Sequence, residues 1–315
     1  MRVILDTDMG MGVPGMEIDD GFALALLVAD PAFDLELVTS VNGNVDVETG
    51  TYLSVELLER LRRPDVPVVR GAAAPLVEPE RVRSAPDEVR TAFGHRTATP
   101  GFAAAEIARR VLESPGEITL VAIGPLTNVA AAIALDPRVA SAIKEIVVMG
   151  GVYLGQTNRG RMPGEFNFWT DPHAARAVLR SGATLRLVGL DVTQRVRLTR
   201  AHAATMAASG RPFGAFAGDC TVAWIDKMSR AFPGDADLAD SCAMHDPLAV
   251  ASITHPELVT WAPAHVEVAV SDDARGVAIA DLLTGEDAPE PNATIATAVD
   301  VDGFLDYFLT TVATY

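Results

Sequence analysis

Residues 118–151 read ITLVAIGPLTNVAAAIALDPRVASAIKEIVVMGG. Two short runs rich in Val, Ile and Leu, ITLVAIG and EIVVMGG, flank the Ala-rich stretch LTNVAAAIAL. Both runs are apolar on either face, as a strand needs to be when helices cover both sides of a parallel sheet. The stretch between them reads as the crossover helix that two parallel neighbours require.

The same alternation extends in both directions. RVILD, LELVTSV and VPVVRG read as earlier strands, LRLVGLD and HVEVAV as later ones. Between them lie helix-like stretches: GFALALLVA, GTYLSVELLERL, AAAEIARRVLES and PHAARAVLRSG, the last closed by Gly182 as a C-cap. This order predicts an α/β fold, an open and mainly parallel Rossmann-like sheet flanked by helices. Three stretches break the rhythm. Residues 71–101 are rich in Pro, Ala and Arg, residues 152–172 form a second long loop, and residues 199–245 look helical with no strand. No shift in composition marks a linker and no repeat is visible, so residues 1–315 read as a single domain. Open α/β sheets bind ligands outside the carboxyl ends of their strands, which makes these excursions, the helical one included, candidate lids and pocket walls at that edge.

Composition narrows the partners. The chain has 315 residues, 49% hydrophobic and 21% charged, with 25 basic against 42 acidic residues and a net charge of −17. Such a surface repels a nucleic-acid backbone, so a polymer substrate is not expected, whereas a neutral small molecule or a cation is compatible. The two cysteines, Cys220 and Cys242, imply no disulfide framework. Cys242 stands three residues before His245, but one C-x-x-H step lacks the other ligands of a zinc site, and an inert thiol is the better reading. No charged segment followed by an apolar stretch opens the chain and no apolar run is long enough to span a bilayer, so a cytoplasmic location is expected and no membrane partner.

The chemistry concentrates first in VILDTDMGMGVPGMEIDDGFALALL, residues 3–27. Asp6 and Asp8 follow a buried-type strand, Asp19 and Asp20 open a helix, and a loop with three glycines and a proline lies between. Carboxylates gathered at one strand end are costly unless a cation compensates them, and oxygen ligands without His or Cys favour calcium or magnesium. The plainer alternative is that these are turn residues and helix caps. Met244-His245-Asp246-Pro247 offers a general acid and a further carboxylate, or merely a cap. Gly124-Pro125-Leu126-Thr127-Asn128 offers an outward carbonyl to a hard cation, or an ordinary strand-to-helix turn. Glu165 and Asn167, two apart, suit the hydroxyls of a sugar, or belong to a solvated loop.

As an ordered set these motifs resemble the inosine-uridine-type nucleoside hydrolase family. The family's opening Asp-x-Asp-Pro-Gly-x-Asp-Asp stretch is matched by Asp6-Thr7-Asp8 and Asp19-Asp20. The resemblance runs on through Val41-Asn42-Gly43-Asn44, Gly124–Asn128, Met149-Gly150-Gly151, Glu165-Phe166-Asn167, Asp171-Pro172, Gly189-Leu190-Asp191-Val192-Thr193 and His245-Asp246-Pro247, nearly the whole chain. It implies a calcium-dependent hydrolysis of the N-glycosidic bond of ribonucleosides, a homodimer or homotetramer, and a place in nucleoside salvage. Asp8, Asp20 and Asp246 would hold Ca2+ by carboxylate and Thr127 by its backbone carbonyl. Asp8 would take a proton from metal-bound water, and His245 would assist departure of the base. Asp19, Asn158, Glu165 and Asn167 would hold the ribose hydroxyls with help from Asp246. Asn44 would support the metal or ribose end, Met149 would pack on the sugar, and His95 would line the base pocket.

Three departures from the family pattern stand out. Met9–Ile18 replaces the short Pro-Gly spacer, so either Asp8 is displaced or Glu17 is an added carboxylate near the site. The ribose loop that carries Asn158 is long. Residues 199–245 hold no tyrosine, where related enzymes place one near the base; Phe213, Phe216, Trp224 and Phe232 are the aromatics available there. Two other readings stay open. One is a magnesium-dependent phosphohydrolase of the haloacid-dehalogenase type with Asp6 as phosphoryl acceptor, although Lys144 and Lys227, the only lysines, suit it poorly. The other is a ribosyl-compound binding protein without turnover.

Overall fold

Val3 and Leu5 face one buried apolar cluster and Ile4 faces another, in a computed structural model that describes residues 1–78, 82–84, 87–155, 161–283, 285 and 287–313. A strand apolar on both faces is thereby covered on both faces. The strands are β1 (Arg2–Thr7), β2 (Asp34–Ser40), β3 (Val68–Arg70), β4 (Ile118–Ala122), β5 (Glu145–Met149), β6 (Leu185–Val188), β7 (Arg197–Thr199), β8 (Ser241–Ala243), β9 (Val259–Val268), β10 (Ala278–Asp281) and β11 (Ala293–Val299). Nine form one sheet in the order β10-β9-β11-β6-β5-β4-β1-β2-β3. Every pairing from β3 to β11 is parallel. The expected α/β, mainly parallel sheet is thus observed.

The run β3-β2-β1-β4-β5-β6 winds outward in two directions from β1 and β4. Where the winding reverses, the loops after the two strands part and leave a crevice at their carboxyl ends. Asp8 and Gly124 stand at the lips of that crevice. Helices form where the apolar periodicity places them: Asp19–Ala29, Val47–Arg60, Ala103–Glu113, Thr127–Leu135 and Pro172–Leu179. Helix Asp19–Ala29 is almost wholly buried and packs on the equally apolar helix His245–Thr254. Phe22 of the first helix meets Phe213 and Phe308 edge-on, with ring centroids 6.1 and 5.4 Å away.

Two sequence expectations are corrected. The helical excursion does carry a strand: β8 pairs antiparallel with β7, Leu198 opposite Cys242. Three residues are too few to show a period of two. At the other end of the sheet, only the HVEV of HVEVAV lies in β9, near its end, and β10 and β11 complete an edge in which β9 runs antiparallel to both. Pro263 interrupts the first half of β9, and β11 (ATIATAV) alternates small residues with hydroxyls, so neither reads as a buried strand. Among the described residues no helix is long and apolar enough to cross a membrane.

Candidate active site

The first acidic residue of β1 is a structural tie. Asp6 Oδ1 accepts hydrogen bonds from Thr39 Oγ1 at 2.6 Å and Asn128 Nδ2 at 2.8 Å, joining β1 to β2 and to helix Thr127–Leu135. Its Oδ2 is buried without a partner, and burial pushes the carboxyl up to about 7. Nothing in this setting exposes Asp6 as a nucleophile.

Asp8 lies beyond the strand end, clamped by two glycine turns. Its Oδ2 accepts from the backbone N–H of Asn44 at 2.7 Å. A Cβ on Gly43 would fall 1.9 Å from that oxygen, and one on Gly124 would fall 3.1 Å from Oδ1. The long spacer after Asp8 is packed against the body of the protein. Met9, Met11, Val13 and Ile18 are buried, and the Met11 side chain fills the space above Gly21. A Cβ on Gly10 would lie 2.9 Å from the carbonyl of Glu17, so the loop closes on its own beginning. Gly12 and Gly15, with φ of 112° and 67°, make the turns that allow this. The insertion leaves Asp8 near Asp20, the two held by the backbone N–H and side-chain amide of Asn44, and brings Glu17 to the cluster as well.

Asp19 and Asp20 open helix Asp19–Ala29, and Asp246 lies in the first turn of helix His245–Thr254. The packing of these helices sets their positive ends together, which favours carboxylates there. Asp20 accepts from Thr7 Oγ1 at 2.5 Å and Asn44 Nδ2 at 3.0 Å, while Asp19 Oδ2 accepts from the backbone N–H of Asp246 at 3.3 Å. Carboxylate oxygens of Asp19, Asp20 and Asp246 lie within 4.8 Å of one another. Burial, reinforced by mutual repulsion, holds Asp8, Asp19 and Asp246 well above the usual carboxylate range. Among the described residues no Arg or Lys pairs with Asp8, Asp19, Asp20 or Asp246. An oxygen-only donor set of this charge, with no cationic side chain to balance it, fits a hard divalent ion.

His245 stands at the other side of the cluster. Its Nδ1 lies 2.7 Å from Thr193 Oγ1, and a ring nitrogen lies within 4.8 Å of carboxylate oxygens of Glu17 and Asp19. Burial, with the charge of Arg197 nearby, lowers its pKa to about 4, so the ring is neutral at neutral pH. A Thr193 hydroxyl donating to Nδ1 would set the ring proton on Nε2, the side away from Thr193.

Glu165 caps helix Phe166–Thr170. Its carboxylate accepts from the N–H groups of Asn167, Gly151 and Phe168 at 2.8, 3.0 and 3.1 Å. Asn167 donates from Nδ2 to the carbonyls of Ile123 and Met149, at 2.9 and 3.1 Å, which leaves its Oδ1 to accept. Met149 is buried at the end of β5, with its sulfur 3.6 Å from the same amide. Thr127 is buried at its helix start, and its hydroxyl donates to Asp171 at 2.8 Å. Asn42, Gly43, Arg83, Phe166 and Trp169 line a cavity of about 210 Å³ alongside.

Other expected residues lie elsewhere. No contact among the described residues joins His95 to this cluster: the ring is exposed and its Nε2 meets Arg96 at 3.0 Å. Arg96 is in turn drawn to Glu56 and Glu59, so the segment is held against helix Val47–Arg60. Asn158 lies outside the described residues. Phe213 is a core residue, and Phe216 packs on Gly12 with Arg60 over its ring. Cys242 is buried, its thiol pushed up to about 12 by burial.

Sequence reading missed Arg275. This buried side chain on the β9–β10 turn donates to the carbonyls of Trp169 and Thr170, at 2.7 and 3.0 Å, and pairs with Glu78. The N–H of Gly164 donates to the Arg275 carbonyl at 3.1 Å, and Gly276 passes where only a glycine fits against Trp169. The antiparallel edge thus fixes the short helix that carries Asn167 and is capped by Glu165. A single Arg in the polar turn SDDARG offered no signal of it.

A family model described as inosine-uridine preferring nucleoside hydrolase matches residues 3–306. The chain is 33% identical over 318 residues to the non-specific ribonucleoside hydrolase RihC of Klebsiella pneumoniae subsp. pneumoniae, covering 96% of this chain and 95% of that protein. Among solved structures, a plant nucleoside hydrolase (the PpNRh1 enzyme) superposes with a TM-score of 0.86 at 28% identity, over 100% of this chain and 99% of that one. A purine-preferring ribonucleoside hydrolase from Gardnerella vaginalis gives 0.86 at 29% identity, over 100% and 98%.

Proposed function

Because the chain belongs to the inosine-uridine preferring nucleoside hydrolase family, and is a nucleoside N-glycosyl hydrolase, we propose that its buried carboxylate cluster is where ribonucleosides lose their base. The observation that carries this reading is the meeting of Asp8, Asp19, Asp20 and Asp246 at one strand end and two helix starts, with no Arg or Lys paired to them among the described residues. Asp8, Asp20 and Asp246, with the carbonyl of Thr127, would hold the ion, which we take to be calcium. A bound divalent ion supplies positive charge that acidifies a neighbouring water and orients it.

The chain's own groups then divide the work. Asp8 takes the proton from the attacking water. Asp19, Glu165 and the free Oδ1 of Asn167 accept hydrogen bonds from ribose hydroxyls, with Asp246 beside them. These contacts orient the sugar and stabilise positive charge developing on its ring. Met149 packs on the sugar, and Asn44 fixes Asp8 and Asp20 relative to each other. His245, neutral and held by Thr193, acts on the departing base as a hydrogen-bond donor through Nε2 rather than as an imidazolium. Phosphoryl transfer through Asp6 is disfavoured by the burial of that carboxylate and by its hydrogen bonds to Thr39 and Asn128.

The test is free ribose released from inosine, uridine, adenosine and cytidine by protein stripped with EDTA and then resupplied with calcium. Release abolished by EDTA and restored by calcium is expected. Tight ribosyl binding without ribose from any of the four would favour a binding protein, and phosphate from a phosphomonoester would favour the phosphohydrolase.

A further inference from the structure

We infer that Glu17, carried by the Met9–Ile18 loop, is a specificity-determining residue that accepts a hydrogen bond from an amino group of the leaving base, and so favours adenosine and cytidine over inosine and uridine. The inference rests on reading the carboxylate cluster as the hydrolytic site.

Position is the first argument. A Glu17 carboxylate oxygen lies within 4.8 Å of both an Asp19 oxygen and a His245 ring nitrogen. With Asp19 read as holding ribose and His245 as facing the base, Glu17 is in reach of the base edge that His245 faces. The loop behind it is seated on the helix Pro212–Ala231, part of the excursion read from the sequence as a candidate pocket wall. Gly15 is packed against Lys227, with a Cβ there 3.2 Å from Lys227 Cδ and 3.9 Å from the Ala223 carbonyl. That contact places the loop on the base side.

Hydrogen bonding is the second. Asp8, Asp19 and Asp20 each accept a donor from the chain, and Glu165 accepts three. Among the described residues no donor is bonded to the Glu17 carboxylate, and the residue is half-buried. Arg83 and Lys227 act on it only as nearby charges. Arg83 lies over the Phe166 ring at 4.5 Å and lines the cavity beside the cluster. A half-buried carboxylate without a donor awaits one from the ligand.

Chemistry gives the selectivity. In its ionised form the Glu17 carboxylate only accepts, so it pairs with the exocyclic N–H2 of adenine or cytosine and repels the exocyclic oxygen that hypoxanthine or uracil carries at the equivalent position. It also stabilises a base that departs carrying an extra proton.

The experiment compares Glu17→Gln and Glu17→Ala with the unaltered protein, all calcium-loaded, on the pairs adenosine–inosine and cytidine–uridine, with p-nitrophenyl riboside as a substrate whose leaving group needs no such contact. Circular dichroism and thermal unfolding check the fold. A second readout is the dissociation constant of free adenine against hypoxanthine by tryptophan fluorescence. The amino-to-oxo ratio of kcat/KM should fall by roughly tenfold or more in both variants, as a hydrogen bond to a charged group is lost. Adenine should weaken by a similar factor, with hypoxanthine and p-nitrophenyl riboside little changed. Equal losses on all substrates, or no change, would overturn the inference. Asp8→Asn in parallel separates the two claims: full turnover in that variant would sink the site itself, whereas an unchanged ratio in Glu17→Gln alone would sink only the role of Glu17.

Discussion

The hydroxyl of Thr193 lies 2.7 Å from Nδ1 of His245, linking the helix that follows β6 to the helix that carries Asp246. The bond holds the ring by Nδ1, and in the proposed reaction Nε2 would meet the base. His245→Ala should slow natural nucleosides by about 10²–10³-fold, the usual cost of losing a hydrogen-bond donor aimed at developing charge. It should leave p-nitrophenyl riboside nearly unaffected. Thr193→Val should show the same substrate pattern more weakly, since the ring stays but loses its anchor. Equal losses on both substrate types would argue against a leaving-group role.

Asn44 holds Asp8 through its backbone N–H and Asp20 through its side-chain amide. Groups that orient ligands commonly cost 10–100-fold in metal affinity when lost. Asn44→Ala should weaken calcium binding, measured by calorimetry, by about that factor. An unchanged affinity would show that Asn44 does not organise the ion site.

Gly43 has no room for a side chain, because a Cβ would fall 1.9 Å from Asp8 Oδ2. Gly43→Ala should therefore displace Asp8 and abolish most turnover, while the buried sheet beneath keeps the fold intact. Normal turnover in a folded Gly43→Ala protein would mean that Asp8 need not sit where it does.

The carboxylates give a pH dependence with a definite sign. Burial raises Asp6 and Glu17 to about 7, and it raises Asp8, Asp19 and Asp246 as well. Below about pH 4 folded and unfolded chains hold the same protons on these acids, and their contribution is intact. As pH climbs from about 4 to 7 the unfolded chain releases protons that the folded chain keeps, so stability falls. His245 works the other way, since a value lowered to about 4 makes its contribution present above 6.5 and lost as pH drops. Five acids outweigh one ring. Chelated protein should melt lower at about pH 8 than at about pH 5.5, and saturating calcium should erase much of the difference. A melting temperature that rises with pH in chelated protein would contradict this assignment.

Much of this architecture was legible in the residues. ITLVAIG, EIVVMGG and RVILD announce buried parallel strands because nothing polar interrupts them, and β4, β5 and β1 are where those runs stand. Asp8, Asp19, Asp20 and Asp246 read by themselves equally as turn residues and helix caps, and it is the ordered resemblance to the family that joins them into one candidate site. Other features are set by contacts distant in sequence. β11 carries too many small and hydroxyl residues to show its burial, and Arg275 is 106 residues from the Trp169 carbonyl it holds. The consequence of the Met9–Ile18 spacer depended on packing as well. The burial of Met9 and Met11 and the fit of Met11 over Gly21 show that the loop folds onto the protein, with Asp8 held on Asn44 near Asp20.

The measurement that bears most directly on the central claim is ribose release by calcium-loaded Asp8→Asn protein, followed in a single turnover with its calcium affinity and unfolding temperature recorded alongside. The expected result is a folded protein that still binds calcium, more weakly, and releases ribose at least about 10³-fold more slowly. A folded Asp8→Asn protein that releases ribose at close to the unaltered rate would contradict the account, because the proton of the attacking water would then have to leave by another group.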